Sequence, residues 1–324
     1  MARPVDAPNS RLLSKVSTLY YEQEFTQQQI ANRLELSRPK VSRLLKQAKD
    51  SGIVQITVSH PEGDHVGMES KLEQLFSLNE AIVVDSVGGN GESSDTLLKT
   101  LLGGAAANHL SRSLSDGDII GVTWGTTLQA MVEKVTPTDS KDLHIVQMLG
   151  GFGPPEAKAH TMDISRSLSR ILNAGLTLLQ SPGVVDSPEI REVLLTDRRV
   201  KNALSLFSKV NKAYVGIGAI STNRVLKKEN NEVSHDIQQE IIHSDAVGDI
   251  GLNFFNRNGE TVNSGFSDRF IGMTLEQLKQ VKTVVGIAGG TEKYDAIRGA
   301  LAGGYINVLI TDRHTALLLI EEAK

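Results

Sequence analysis

The sequence predicts an α/β protein in which a small helical domain, residues 1–60, precedes a larger domain, residues 61–324, built on a parallel sheet. In the first 60 residues the apolar side chains recur at helical spacings. From residue 81 onward, short apolar runs alternate with helical segments, which is typical of strands buried on both faces of a parallel sheet. Glycine-rich turns follow three of these runs, so the strand ends are candidate sites.

Charge is divided unevenly between the two predicted domains. The whole chain has a formal charge of −4, yet residues 1–60 hold nine Lys and Arg against five Asp and Glu. The remaining residues hold 25 basic and 33 acidic side chains. A polyanionic partner is therefore expected to meet the N-terminal domain and to be repelled by the rest.

Composition narrows the remaining classes of function. The chain has no cysteine, which excludes disulfides, thiolate metal sites and cysteine nucleophiles and is consistent with a reducing compartment. No run approaches the roughly 20 apolar residues of a membrane-spanning helix, and the first ten residues lack the apolar core of a secretory signal. We therefore expect a cytoplasmic protein without a membrane partner.

Residues 26–46 have the pattern of a helix-turn-helix. Thr26 can cap a first helix through its side-chain oxygen, and apolar residues four positions apart give that helix one buried face. After a short turn, Ser37 can cap a second helix, whose first turn accommodates Pro39 without the loss of a hydrogen bond. The apolar positions of the second helix form its buried stripe: Val41, Leu44 and Leu45.

The opposite face of the second helix is cationic and rich in hydrogen-bond donors, which suits a helix that lies in the major groove of DNA. An ordinary basic amphipathic hairpin is the plainer alternative, because solvated charged faces are common. Since the caps, turn, apolar spacing and charge agree, we expect binding to double-stranded DNA. The residues expected at this interface are Gln27, Ser37, Arg38, Pro39, Lys40, Ser42, Arg43 and Lys46.

Flanking residues complete the small domain. Apolar positions between residues 12 and 20 predict a supporting helix that closes a three-helix core. Gly52 suits the left-handed position after the second helix. The β-branched run 53–58 predicts a strand, the wing of a winged-helix-like domain, and a cluster of turn residues follows it. We therefore place the domain boundary after residue 60.

The larger domain is expected to have a Rossmann-like α/β fold. Its candidate strands are residues 81–84, 119–122, 144–148, 176–179, 213–217, 283–287 and 307–310. Its candidate helices include residues 68–78, 97–110, 127–135 and 275–280. Ligands of open parallel sheets bind beyond the carboxyl ends of the strands, so the turns there are examined for chemistry.

Two glycine turns are interpreted as anion sites. Gly125, Thr126 and Thr127 follow a strand and open a helix, where backbone N–H groups and two hydroxyls can hold a phosphate. A tight turn with a capping threonine is the alternative. Gly290 lies in a similar turn, and Lys293 lies in the first turn of the helix that follows. Since a helix dipole disfavours a lysine there, Lys293 is better explained if it faces an anion, although a solvated lysine remains an alternative.

Two further segments could complete a ligand site. Gly150 and Gly151 follow the strand 144–148, and they allow either a close approach of a ligand to the backbone or only an unusual loop. Asp245 and Asp249 carry carboxylates that can accept hydrogen bonds from sugar hydroxyls. The alternative is that both acids cap a helix.

Four stretches occur in one order along the chain: TQQQIANRLELSRPKVSRLLKQAKDSGIVQI, GDIIGVTWGTT, DAVGDI and GIAGGTEKYDAIRGALAGGYINVLITD. On these motifs the chain, from about residue 11 to 320, resembles the SorC/DeoR-type sugar-responsive transcriptional regulators of bacteria. The resemblance implies an effector domain related in fold to sugar-phosphate isomerases and deaminases, phosphorylated sugars or polyols as inducers, operator DNA as partner, and homodimers or homotetramers. It also implies that the pocket is lined by Gly125, Thr126, Thr127, Gly150, Gly151, Asp249, Gly290 and Lys293.

One position departs from the family pattern. Some relatives place Lys or Arg just before the glycine pair of the second turn, where this chain has Leu149. Leucine can neither pair with a second phosphate nor form a Schiff base. We therefore expect neither a bisphosphate nor a covalently held aldehyde, unless another residue substitutes, and no cofactor beyond the effector.

A second class of function stays open: a sugar-phosphate isomerase or deaminase with a DNA-binding extension. Such an enzyme needs a general acid or base beside the substrate carbonyl, and Asp249, Asp295 and His243 are candidates. The spacing reveals no base with an orienting partner, and the histidines show no metal-ligand spacing. The sequence therefore favours a regulator.

Overall fold

The structure is a computed structural model that describes residues 7–56, 65–87, 92–151, 155–222, 235–262 and 265–323. The chain divides into two compact units, Met1–Glu62 and Gly63–Lys324. The predicted boundary after residue 60 lies in the segment 57–64, outside the described residues. Among the described helices, none combines the length and the apolar character that a membrane crossing requires.

The first unit is a three-helix domain. It contains helices α1 (Ala7–Ser17), α2 (Gln27–Arg33) and α3 (Arg38–Asp50), with a π-helical turn at Thr18–Glu22 after α1. The helices share one core, as predicted from their apolar spacing, and its buried members are Leu13, Val16, Leu19, Ile30, Ala31, Val41, Leu44, Leu45 and Ala48.

The predicted wing strand at 53–58 is wrong for residues 53–56, which form no strand, and residues 57 and 58 lie outside the described part. Gly52 adopts the predicted left-handed conformation, with φ of 75°. The chain then turns back on α3, so that the Val54 N–H donates to the Ala48 carbonyl at 3.0 Å. Because the cap of α3 uses this backbone group, the β-branched run continues the helix end instead of pairing as a strand.

The second unit alternates strands and helices. The strands are β1 (Glu80–Val84), β2 (Ile119–Val122), β3 (His144–Gln147), β4 (Gly175–Thr177), β5 (Lys212–Gly216), β6 (Gly218–Ala219), β7 (Ala246–Ile250), β8 (Asn253–Asn256), β9 (Thr283–Ile287) and β10 (Val308–Asp312). The helices are α4 (Val66–Phe76), α5 (Glu92–Ser113), α6 (Thr126–Val132), α7 (Pro155–Ile171), α8 (Pro188–Thr196), α9 (Arg198–Ser205), α10 (His235–His243), α11 (Leu275–Leu278), α12 (Tyr294–Ala302) and α13 (Arg313–Glu322).

Within the described residues, seven strands form a parallel sheet in the order β1-β10-β9-β5-β2-β3-β4. Apolar clusters cover both faces, because Ala213 and Val215 of β5 join one cluster and Tyr214 joins the other. The chain runs from β2 outward to β4 and then returns to β5 on the other side of β2. The carboxyl ends of β2 and β5 therefore form the topological switch point of the sheet, where ligands of such folds bind.

The sequence did not predict a second, antiparallel sheet, which has the order β6-β7-β8 in the described residues. β6 follows β5 after a single residue, so this sheet begins at the carboxyl edge of the large sheet. β6 has only two residues, and β8 reads Asn-Phe-Phe-Asn, so neither has the apolar run or the long alternation that marks a strand.

Candidate DNA interface and effector site

The helix-turn-helix is held by local contacts. Thr26 Oγ1 accepts from the Gln29 N–H at 3.3 Å, and Gln29 Oε1 accepts from the Thr26 N–H at 2.9 Å, which makes a capping box at the start of α2. Glu35 turns the chain with φ of 54° between α2 and α3. Ser37 occupies the N-cap position of α3, as predicted, but its side chain makes no cap hydrogen bond. The angle between the two helices thus rests on the backbone of the turn.

The predicted DNA face is a continuous exposed surface of α3. Residues 36–49 contain no Asp or Glu, and the acids that border this run are Glu35, before α3, and Asp50, at its last position. Arg43 lies along the helix, with its Nε donating to the Pro39 carbonyl at 3.4 Å. Gln27 is half-buried at the start of α2, whereas the other predicted interface residues are exposed: Ser37, Arg38, Pro39, Lys40, Ser42, Arg43 and Lys46.

The predicted effector residues come from three turns at the carboxyl edge of the parallel sheet and, for Asp249, from the strand β7. Gly125, with φ of 142°, precedes α6, whose first residue Thr126 is exposed and whose second, Thr127, is buried. Gly290, with φ of 94°, precedes a 3-10 turn that ends at Lys293, one residue before α12. These left-handed backbones favour glycine, and the first N–H groups of each helical segment lack an intrahelical acceptor.

Contacts between the turns draw this edge together. Thr123 Oγ1, after β2, accepts from the Gly216 N–H at the end of β5, at 3.4 Å. A β-carbon on Gly218 would lie 2.2 Å from Asp249 Oδ1, so the bare glycine leaves room for that carboxylate over the end of β5. Since β5 lies between β2 and β9, the two strands that lead into the Thr126 and Gly290 turns are about 10 Å apart, two strand spacings.

The two acids of the segment 244–249 have different positions, and neither caps a helix. Asp249 lies in β7, is buried, and accepts from the Leu252 N–H through Oδ2 at 2.9 Å. Asp245 lies just before β7 and accepts from Asn256 Nδ2 at 2.7 Å. The helix-capping alternative is therefore wrong, and Asp249 is the acid that reaches the edge of the sheet.

Lys293 is a partly buried cation in this group. Loss of hydration lowers the pKa of its ammonium, and the nearby charge of Lys99 lowers the pKa further. Asp249 and Asp95 oppose the shift, so their carboxylates lie within electrostatic reach of the ammonium. The arrangement sets a desolvated cation beside a hydrogen-bond acceptor, which can receive a ligand that carries both an anionic group and hydroxyls.

Sequence reasoning missed Asp312, at the end of β10. Its Oδ2 accepts from the Gly290 N–H at 2.7 Å and from the Thr315 hydroxyl at 2.6 Å, and its Oδ1 accepts from the His314 N–H at 2.9 Å. Burial raises the pKa of this carboxyl, but the hydrogen bonds outweigh burial and the pKa lies below its ordinary value. The available signal was an acid between a strand and a helix. Asp312 holds the Gly290 turn in place.

The glycine pair after β3 is placed differently. The Gly150 N–H donates to the Ile271 carbonyl at 3.2 Å, and the Gly151 N–H donates to the Ser181 carbonyl at 2.8 Å. A β-carbon on Gly150 would lie 2.6 Å from the Pro182 carbonyl oxygen. These glycines allow two loops to pack closely, and their N–H groups are already engaged by protein.

Leu149 precedes that glycine pair and is 1% exposed. It belongs to an apolar cluster with Leu252, Phe254, Phe266 and Phe270, on which Trp124 also packs. The position that carries a cation in some relatives is therefore part of a small core in this chain.

Two of the three candidate general bases have partners of their own. Asp295 Oδ1 pairs with Arg257 Nε at 3.0 Å on the surface, and His243 Nδ1 hydrogen-bonds the Gln239 carbonyl at 2.7 Å on its own helix. Within the same described ranges, no three His, Asp or Glu side chains are grouped to hold a metal ion.

Comparisons with known proteins match both units. A family model described as "Putative sugar-binding domain" matches residues 61–321, and one described as "Sigma-70, region 4" matches residues 15–50. The chain is 32% identical over 320 residues to the deoxyribonucleoside regulator of Bacillus subtilis (strain 168), covering 98% of this chain and 100% of that protein. It is 33% identical over 320 residues to the sorbitol operon regulator of Klebsiella pneumoniae, covering 96% and 98%. The crystal structure of full-length SorC, the sorbitol operon regulator of Klebsiella pneumoniae, matches with a TM-score of 0.73 at 32% identity, covering 97% of this chain and 100% of that one.

Proposed function

Because this chain belongs to the SorC family of sugar-responsive transcriptional regulators, we propose that its effector is a phosphorylated sugar or polyol bound at the carboxyl edge of the parallel sheet. The protein is a DNA-binding regulator controlled by a sugar-derived effector. Two relatives are named for a sorbitol operon and for deoxyribonucleosides, and we infer a carbohydrate catabolic operon as the target here.

The observation that carries the proposed site is the desolvated Lys293 ammonium, which follows β9 and lies within electrostatic reach of Asp249, next to the switch-point strand β5. In the proposed complex, the phosphate accepts hydrogen bonds from the turn of Gly125, Thr126 and Thr127 and pairs with Lys293. Asp249 accepts from the sugar hydroxyls. The Gly290 turn, held by Asp312, fixes the approach of Lys293.

Apolar surroundings limit the class of effector. Leu149 is buried among apolar side chains, so we propose a single phosphate and a non-covalent complex. Gly150 and Gly151 would shape the wall of the pocket without donating their N–H groups, since Ile271 and Ser181 already accept from them. The proposed function needs no cofactor, and we propose that the effector is bound without being turned over.

The proposed DNA contact is α3 in the major groove, with Arg38, Lys40 and Arg43 directed at base edges and Lys46 at a phosphate. One helix-turn-helix reads too few bases for selectivity, so we propose a homodimer or homotetramer that spans two half-sites. The effector residues lie more than 75 positions beyond the motif, so control is proposed to act through a shift between assembled states. A coupling of about 1–3 kcal/mol changes operator affinity roughly 5- to 150-fold.

A thermal-shift screen of the full-length protein tests this proposal. Pentose, hexose and polyol phosphates are compared with the same compounds without phosphate, because a ligand of the native state raises the midpoint of unfolding. Only phosphorylated compounds are expected to raise the midpoint, and Lys293→Ala or the double change Thr126→Ala/Thr127→Ala should abolish the effect. The matched control is Lys134→Ala, an exposed lysine just beyond the far end of α6. An equal response of wild type and Lys293→Ala would place the site elsewhere.

A further inference from the structure

One face of α5 lies against the Gly290 turn. Asp95, Leu98, Lys99 and Leu102 are spaced three and four residues apart, so they share that face. A β-carbon on Gly290 would lie 3.6 Å from Leu98 Cδ2, and one on the neighbouring Gly289 would lie 3.3 Å from Leu102 Cδ1. The two leucines therefore seat this part of α5 on the turn that carries Lys293.

Lys99 consequently lies on the same side as Lys293, although the two lysines belong to distant parts of the chain. The Lys99 side chain is only 26% exposed, and its charge opposes protonation of Lys293. Two ammonium groups at one edge repel each other, so the pairing is unfavourable unless an anion is placed between them.

Asp95 forms an ion pair with Lys99 one helical turn away. Taken alone, an i,i+4 pair on a helix surface contributes only about 0.3–0.5 kcal/mol, and such a pair needs no functional explanation. The position of the pair does need an explanation, because the same face of α5 packs against the Gly290 turn. Asp95 is 59% exposed, so it can remain in water if Lys99 turns to another anion.

Carboxylates already face the cations of this edge without a ligand. Asp249 and Asp95 lie within electrostatic reach of Lys293, Asp95 also pairs with Lys99, and Asp312 accepts from the Gly290 N–H of the same turn. A phosphate ester brings a charge of about −1.5 to −2 and several acceptor oxygens. A phosphate that engages both lysines competes with Asp95 for the Lys99 ammonium. A neutral sugar has no negative charge with which to compete for Lys99.

We propose that Lys99 is the second cation of the effector site and that Asp95 is its resident competitor, so that this pair sets the effector concentration at which the regulator responds. The inference rests on the proposed binding of a phosphorylated effector beside Lys293. It adds a specificity-determining residue from α5 that the turns themselves do not supply.

The experiment uses the full-length protein and isothermal titration with inorganic phosphate and with glucose 6-phosphate as probes, at constant ionic strength. Lys99→Met keeps the length and the apolar stem of the side chain while removing the charge. It should weaken binding of the phosphate probes about tenfold, the effect of one charged hydrogen bond. Asp95→Asn should strengthen binding by about two- to fivefold, because the competing charge is gone. Lys134→Met makes the same charge change at an exposed site and should stay within about twofold of wild type.

The outcomes separate this inference from the proposed function. If Lys293→Ala loses binding while Lys99→Met and Asp95→Asn titrate like wild type, the role of the α5 pair is wrong and the proposed site stands. If wild type gains no stabilisation from any phosphorylated sugar or polyol in the screen, both proposals fail. Weaker binding of the phosphate probes by Asp95→Asn also overturns the inference, because removal of a competing carboxylate cannot lower the affinity for phosphate. Melting curves show whether each variant is folded.

Discussion

The DNA face of α3 and the effector edge of the large sheet differ in how their residues are assembled. The cations of α3 lie within twelve consecutive positions, 38–49, on one exposed helix face. The charged residues of the effector edge come from α5, β7 and the turn before α12, and they meet only because the strand order brings those elements together. A site built from one helix can be found by spacing, whereas a site built from a topology needs the fold.

Desolvation also distinguishes the two sites. Arg38, Lys40 and Arg43 are exposed to water, so their contacts with phosphates and bases are governed by salt. Lys293 is partly withdrawn from water, which lowers its pKa. An anionic partner therefore stabilises its ammonium charge more than it would stabilise an exposed one. The first surface suits rapid electrostatic association, and the second suits discrimination among small ligands.

The largest effect is expected on the DNA face. Replacing Arg38, Lys40 and Arg43 together by alanine should weaken specific operator binding by at least about a hundredfold, since a good base contact discriminates by roughly 1–3 kcal/mol. Binding of the sugar phosphate should remain as in wild type. Footprinting of the natural upstream DNA measures the first quantity and calorimetry the second. Unchanged footprints would mean that α3 does not read this DNA.

Lys293→Ala should have the opposite effect: operator binding remains, and the response to the effector is lost or weakened. The variant is expected to respond to added sugar phosphate at least about tenfold more weakly, because a charge-assisted hydrogen bond is lost. The measured quantity is operator affinity against effector concentration at fixed salt. A dose response that overlays the wild-type curve would contradict the proposed pocket.

Asp249→Asn tests whether this carboxylate recognises the hydroxyls of the effector. The phosphate contacts remain while hydroxyl recognition weakens, so the response should persist at about three- to tenfold higher effector concentration and with a broader sugar preference. Because Asp249 also accepts from the Leu252 N–H, the melting midpoint has to be recorded alongside. A variant that keeps the wild-type ranking of sugars would remove Asp249 from the recognition of the hydroxyls.

The smallest expected effect concerns acid pH, and it is expected from a buried histidine of the large unit. His109 is 3% exposed, and its Nδ1 hydrogen-bonds the Tyr214 hydroxyl at 2.8 Å. Burial lowers its pKa below 6.5, and Arg112 and Lys212 lower it further, while Glu80 raises it. The unfolded chain therefore binds more protons near pH 6, so stability present above pH 6.5 is lost as the pH falls towards the folded pKa.

That loss is expected to be modest, because one titrating group contributes it. Urea unfolding of wild type between pH 7.5 and 5 should show it, and His109→Gln, which cannot take up the proton, should show a smaller decrease. A decrease of the same size in both proteins would assign the acid sensitivity to other groups.

Much of the architecture was predictable because its signals are local. The capping box at Thr26, the left-handed Gly52 and the apolar runs from 119 to 122 and from 283 to 287 each decide their own conformation. The predicted wing was wrong in its described part because β-branched content does not reveal that the Val54 N–H is used by the α3 cap. The β6-β7-β8 sheet was missed because β6 has only two residues, β7 contains a glycine and an acid, and β8 has an asparagine at each end.

The effector edge was only partly predictable for the same reason. Gly125, Gly290 and Lys293 stood out because each breaks a local preference of strand or helix ends. Lys99 looked like any surface lysine on a long helix, and its side of α5 became clear only from Leu98 and Leu102 against the glycine turn. The roles of Gly150 and Gly151 depended on loops 30 and 120 residues away, at Ser181 and Ile271.

The contacts of Asp312 predict which mutations abolish the response to the effector. Its carboxylate accepts from the Gly290 N–H and from the His314 N–H at the start of α13. The His314 N–H also donates to the Ser86 hydroxyl oxygen, after β1, so Asp312 links the Gly290 turn to both segments. Mutant screens for alleles that still silence or activate a reporter but ignore the inducing sugar should therefore recover changes at codon 312. Such alleles would be indistinguishable by phenotype from changes in the pocket itself, although residue 312 need never touch the sugar. Dosage with a second, intact copy would then reveal whether the insensitive subunits dominate the mixed assembly.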